Sequence, residues 1–303
     1  MQKKSLFVGE FEWVKSHLDD ADSESDPGGG KPILLHGEPM LVGQFGYPVH
    51  PRIYPSSLVM LNPRWTAESY SNFYEKYYDD LYRLDLKPDY GHDGVVRNMQ
   101  EVWSRVTRHK VFTRDSELCI LDAGSGPGYG LKWLASILPA SEFKAIEASP
   151  DACRILEDEM GIDIIDSDLD GAWRGQHQER FDVIIMRHVV EHMLNPVTTL
   201  SEMSKTLIQG GFMYIAVPDM MHPRVKLRDY DNWWEYWFRA VHPYYYNRKT
   251  LFQTLHLAGL YPFAWGEENE EIWVLARCGD QPFQDCFDID YQVQDDLLQR
   301  LMP

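Results

Sequence analysis

Leu121-Asp122-Ala123-Gly124-Ser125-Gly126-Pro127-Gly128 closes an apolar, strand-like run and opens a helical one. Glycines at such a junction let the backbone pass close to a ligand, where a Cβ would collide. A dinucleotide fingerprint needs G-x-G-x-x-G. Gly124 and Gly126 satisfy its first two positions, but Tyr129 stands at the third. The spacing is G-x-G-x-G instead, and Pro127 removes an N–H that a pyrophosphate would use. The loop therefore suits a ligand without phosphates, and a nicotinamide-dependent oxidoreductase is disfavoured.

Outward from this loop the chain alternates regularly. Strand-like runs are expected at Leu118–Ala123, Phe143–Ala148, Asp163–Asp166, Phe181–Arg187 and Phe212–Pro218. Amphipathic stretches at Leu131–Leu138, Pro150–Met160 and Pro196–Leu207 lie between them. Strand–helix–strand repetition at this spacing implies right-handed crossovers and a parallel sheet. Helix-like Arg248–Ala258, the stop signal Gly259 and a last strand at Glu271–Arg277 follow. The fold class expected is α/β, a doubly wound Rossmann-like sheet, mostly parallel with an antiparallel last strand.

Additions flank this core. Residues 1–110 read as an N-terminal extension, with helical spacing in 1–18, an acidic Gly-rich linker at 19–30, irregular chain with short strands at 33–63, a Tyr-rich helix at 66–83 and another helix at 94–110. Residues 111–279 form the core domain, with an aromatic-rich cap inserted at 219–250, and 280–303 form an acidic tail. The cap contains Asp229–Tyr246, the densest aromatic stretch of the chain. It reads either as a hydrophobic closure or as a platform for flat or ring-shaped ligands, since aromatic faces stack on rings and attract cations.

Net charge is −18 without a segregated basic patch, which disfavours nucleic acid and an anionic membrane as partners. The four cysteines form no CxxC pair. No secretory signal and no apolar run long enough for a bilayer are seen, so a cytoplasmic location is expected. His188 and His192 stand four apart, as a metal pair on one helical face would. No third ligand has matching spacing, so no metal is expected.

The chemistry-bearing residues fall at the carboxyl ends of the expected strands, where ligands bind in such sheets. Glu147 ends the second strand, where a carboxylate can accept from ribose hydroxyls. Asp168 follows the third, where an acid can take an adenine amino group. The fourth runs into His188-Val-Val-Glu191-His192-Met-Leu-Asn-Pro196. In order and spacing, LDAGSGPG, KAIEASP, DSDLD, FDVIIMRHVVEHMLNP and QGGFMYIAVPD resemble the class I S-adenosylmethionine-dependent methyltransferases over roughly residues 60–278.

That resemblance implies S-adenosyl-L-methionine as cofactor. It implies contacts to the cofactor from Asp122, Gly124, Ser125, Gly126, Gly128 and Tyr129 of the glycine loop. Glu147 with Ala148 would hold the ribose, Asp168 with Leu169 would flank the adenine, and Arg187 and His188 would complete the site. A narrower resemblance links Leu61-Asn62-Pro63-Arg64, Ser71–Tyr78 and His242–Leu251 to bacterial sugar methyltransferases. Residues 1–60 contain no cysteine, so the zinc-binding module of many of those proteins is absent, and Val241 stands where sugar C-methyltransferases carry an acid. By this resemblance the acceptor is a small molecule, a sugar or nucleotide-linked sugar hydroxyl or carbon. A quinone-like or polyketide acceptor, or a non-catalytic cofactor-binding subunit, is the alternative, and a homo-oligomer is left open. His242 is the first candidate base, since imidazole ordinarily titrates near neutrality, and His192 is the second.

Overall fold

The computed structural model describes residues 41–42, 48–49, 51–62, 64–76, 78, 88–109, 112, 117–222, 238–279, 292–294 and 296. The expected N-terminal helix and acidic linker, the cap's residues 223–237 and most of the C-terminal tail lie outside them.

Seven strands form the main sheet. They are β5 (Cys119–Ala123), β6 (Glu142–Ile146), β7 (Asp163–Asp166), β8 (Phe181–Arg187), β9 (Leu207–Pro218), β11 (Leu260–Glu268) and β12 (Glu271–Cys278). Their order is β11-β12-β9-β8-β5-β6-β7. The β5–β9 strands pair in parallel, and β12 runs antiparallel between β9 and β11. The sequence divides cleanly between the two faces. On β8, Val183 and Ile185 enter one core, whereas Ile184 and Met186 enter the other; on β9, Phe212 and Tyr214 separate likewise from Met213 and Ile215. A sheet buried on both faces needs this continuous apolar run, because alternate side chains point to opposite sides.

Helices cover both faces. The helix α2 (Pro88–Arg108) lays Met99, Val102, Trp103 and Val106 on one core, and α6 (Pro196–Ser204) lays Leu200 and Met203 on the other. The helix at Pro150 is α-helical only to Ile155, and Leu156–Met160 continue as a wider π-turn ended by left-handed Gly161. Ser149 caps its start by accepting the Ala152 N–H. Strand β11 is an addition to the expected order. Pro262 interrupts its pattern, and the register shifts between Pro262 and Ala264, which an edge strand tolerates.

The N-terminal extension and the cap meet in a second small sheet. Its strands are β3 (Pro51–Ile53), β4 (Val59–Leu61) and β10 (Tyr244–Tyr245), in the order β10-β4-β3. Arg64 is buried and donates to the Leu194 carbonyl and the Tyr244 hydroxyl, both at 3.0 Å. Asn247 joins the two segments as well. It forms a capping box with Thr250 at the start of α7 (Arg248–Leu257) and reaches the Ser57 carbonyl. The described parts of the additions are thus bound to each other and to the chain following β8. No helix among the described residues is long and apolar enough to cross a membrane.

Candidate functional site

β5 has β6 on one side and β8 on the other, so the crevice where strand order reverses opens at the ends of β5 and β8. The glycine loop stands there. Gly124, Gly126 and Gly128 all have left-handed backbones, at φ +78°, +57° and +77°. Two of them are also needed for packing. A Cβ on Gly124 would lie 2.6 Å from Val189, and one on Gly128 would lie 2.3 Å from Leu156. Gly126 differs, because a Cβ there would meet nothing within 4 Å. It presents bare backbone to open space, as a loop that cradles a ligand must.

Glu147 sits beside that opening and is buried. Its Oε2 accepts the Gly126 N–H at 2.7 Å and its Oε1 accepts the Ser149 N–H at 2.8 Å. The carboxylate is thereby locked to the glycine loop. Asp122 is buried close by; burial first, and then the Glu147 charge, push its carboxyl up to about 7. Ser125 is buried in the loop, and half-buried Tyr129 begins α3 (Tyr129–Ile137). Ala148 is exposed after β6. Asp168 is exposed after β7, where its Oδ1 accepts the Asp170 N–H, and Leu169 packs on the core.

Arg187 and His188 stand at the end of β8, and their side chains turn to one buried acid. Glu271 Oε2 lies 2.9 Å from both Arg187 Nη2 and His188 Nε2, while Glu271 Oε1 takes Arg105 Nη1 at 2.5 Å. Burial alone would raise the Glu271 carboxyl. The His188 hydrogen bond and the Arg187 charge overcome it and bring the group to about 2. Glu271 was read from sequence only as the start of a strand. An acid opening an otherwise apolar strand was the available signal. His188 adopts φ +57°, and Val190–His192 form a 3-10 turn, so the helical face expected for His188 and His192 does not form.

What does form is a cluster across 51 residues of chain, from Glu191 and His192 to His242. One ligand-type atom from each of Glu191, His192 and His242 lies within 4.8 Å of the others. The two rings meet edge-to-face with centroids 4.3 Å apart. Both candidate bases therefore come together, but not as expected electrostatically. Burial first, then the charges around them, lower His192 to about 3 and hold His242 well below the ordinary imidazole range. Both are neutral and weakly basic. Glu191 moves the opposite way, since burial pushes it up to about 7, against the opposing effect of His188. It is 1% exposed, and neither carboxylate oxygen has a hydrogen-bond partner among the described residues. In sequence, Glu191 stands only within the segment that follows the fourth strand. Tyr74 was read as part of a Tyr-rich helix, α1 (Ala67–Lys76), and its hydroxyl lies 2.8 Å from His192 Nδ1. Val189 lies against Gly124 and stands two residues before Glu191, so the turn after β8 abuts the glycine loop.

The family described as a methyltransferase domain matches residues 95–263. The chain belongs to that family. The mitochondrial ubiquinone biosynthesis O-methyltransferase of Candida albicans is 26% identical over 169 residues, covering 54% of this chain and 49% of that protein. The chain thus matches about half the length of that relative. Among solved structures, an S-adenosylmethionine-dependent methyltransferase from Mesorhizobium loti is similar at 14% identity and TM-score 0.44, over 56% of this chain and 94% of that one. A chain of the Haloferax volcanii complex of the Trm112 methyltransferase activator is similar at 15% identity and TM-score 0.47, over 63% and 96%.

Proposed function

We propose that this protein is an S-adenosylmethionine-dependent O-methyltransferase of a small hydroxylated acceptor. The observation that carries this reading is the open backbone at Gly126, held against the buried Glu147 carboxylate and continuous through Val189 with the Glu191–His192–His242 cluster. The cofactor would supply an electrophilic sulfonium methyl group. Glu147 would accept from its ribose hydroxyls and Asp168 from its adenine amino group, while Asp122 to Tyr129 would line its amino-acid part. The cluster lies at the next strand end, where an acceptor hydroxyl can face the methyl. With the cofactor bound, the acceptor oxygen would take the methyl, the C–S electron pair would stay with sulfur, and the hydroxyl proton would leave to solvent. The protein's part is alignment of the reacting atoms and removal of the proton.

The curated relative supports a phenolic hydroxyl on a quinone-like ring as the acceptor. A sugar hydroxyl is the second reading, supported by the segments at Leu61–Arg64 and His242–Leu251. The deciding experiment is incubation with cofactor labelled in its methyl group, using hydroxylated quinone precursors and nucleotide-linked sugars in parallel. Label is expected in the phenolic set. Calorimetry should also show binding of S-adenosylhomocysteine and none of NAD, and the reverse preference would reject the assignment.

A further inference from the structure

We propose that Glu191, His192 and His242 bind one divalent transition-metal ion of the zinc type beside the glycine loop. Their donor atoms already lie within 4.8 Å of one another. Ligand atoms on a tetrahedral ion with bonds of about 2.0–2.2 Å stand roughly 3.3–3.5 Å apart, so small side-chain movements close the site. The donor set is two imidazoles and one carboxylate. Such a set leaves a coordination position for water or substrate, as reactive rather than structural metal sites do.

The second observation is the state of Glu191. A carboxylate 1% exposed, with no hydrogen bond to either oxygen among the described residues, is unfavourable in a protein interior. His188 Nδ1 stands 3.9 Å from Oε1, too far for a hydrogen bond. A cation between the carboxylate and the two imidazoles supplies the missing partner. The imidazoles suit it too, since a neutral ring nitrogen is the donor such an ion takes and the two rings already meet at a centroid distance of 4.3 Å. His192 has an orienting partner in Tyr74, whose hydroxyl lies on Nδ1 at 2.8 Å, and the Val241 backbone also faces the ring. With one ring nitrogen on the ion, the other keeps one of these partners, the arrangement that orients ligating histidines. Arg239, Arg187 and His188 are the other charged or titratable groups felt at the cluster. They oppose a second cation, and the ionised Glu191 offsets part of that opposition.

The sequence spacing pointed to His188 with His192 and offered no third ligand. The fold replaces His188 by Glu191 and brings His242 from the cap. The role of the ion rests on the O-methyltransferase reading, whereas the site does not. A divalent ion lowers the pKa of an oxygen it polarises, as it does for bound water. An acceptor hydroxyl held on it would then release its proton to solvent near neutral pH.

The test uses the untagged full chain, stripped with chelator and dialysed against Zn2+ or Co2+ without cofactor. One ion per chain by elemental mass spectrometry is expected, with visible Co2+ bands of four- or five-coordinate nitrogen and oxygen ligation. Glu191→Gln and His242→Ala should each weaken binding by roughly a hundredfold or more, since even changes behind the ligands cost about 10–100-fold. Affinity for S-adenosylhomocysteine should persist in both. Substoichiometric metal, or unchanged binding in both variants, overturns the site. Should the variants fail to fold, anomalous scattering at the zinc edge from wild-type crystals decides: a peak between the three side chains supports the site, and a peak elsewhere or none rejects it. Failure to bind S-adenosylhomocysteine with metal still bound would reject the methyltransferase reading and leave the site standing.

Discussion

Glu147 and Glu191 are both buried acids at strand ends of one crevice, 7% and 1% exposed. They are completed in opposite ways. Glu147 takes two backbone N–H groups, one from the glycine loop 21 residues before it and one from Ser149 two residues after it. Glu191 takes none among the described residues; of its cluster partners His192 follows it in the chain and His242 arrives on the cap. On the proposed reading the Glu147 side holds the cofactor and is locally built, whereas the Glu191 side faces the acceptor and is assembled from two distant segments.

Substitutions can separate the two sides, and the largest effect is expected at the open glycine. Gly126→Val should abolish measurable binding of S-adenosylhomocysteine in calorimetry. The side chain would occupy the open space and force a β-branched residue to φ +57°, a conformation costing roughly 1–2 kcal/mol in backbone energy alone. Circular dichroism should still report a folded chain, since nothing within 4 Å collides. Normal binding by this variant would break the contrast.

Glu271 underlies both sides through Arg187 and His188. Its depressed carboxyl contributes stability that is full above the ordinary carboxylate range, near 4.5, and is lost as pH falls toward about 2. The contribution is on the order of 3 kcal/mol. Denaturant midpoints of wild type and Glu271→Gln, measured from pH 6 down to pH 3, should converge as pH falls. A constant gap would show that the ion network does not carry this linkage.

On the acceptor side, Glu191→Gln should lower turnover roughly a hundredfold while leaving S-adenosylhomocysteine affinity intact. His242→Gln should act similarly, and near-normal turnover for both would place activation of the acceptor elsewhere. On the cofactor side, Glu147→Ala removes charge-assisted hydrogen bonds of about 1.5–3 kcal/mol each. Its dissociation constant should rise by roughly ten- to a hundredfold for each ligand bond lost. The smallest effect is expected from Tyr74→Phe, which removes one hydrogen bond to His192, worth about 0.5–1.5 kcal/mol. It should change turnover by less than about tenfold and the melting temperature only slightly. A loss as large as that of Glu191→Gln would move Tyr74 into direct contact with the acceptor.

Local pattern determined much of this protein. The continuous apolar runs of β8 and β9 specify a sheet buried on both faces, and their alternation with helical stretches specifies parallel order. The glycines, Glu147 and Asp168 were readable because a strand end followed by a turn is written in a few consecutive residues. Only the tertiary structure decided the rest. Edge strand β11 was hidden by Pro262, whose missing N–H argues against a strand unless a bulge and an unpaired edge absorb it. The cap pairs β10 with β4 across more than 180 residues, and no periodicity records that pairing. The helical spacing of His188 and His192 became irrelevant once the backbone turned left-handed at His188. Glu191, His192 and His242 meet because that turn and the cap are packed together, and their proton affinities follow from the resulting burial. Sequence can place such residues at a strand end, but desolvation and partner distance exist only once the chain has folded.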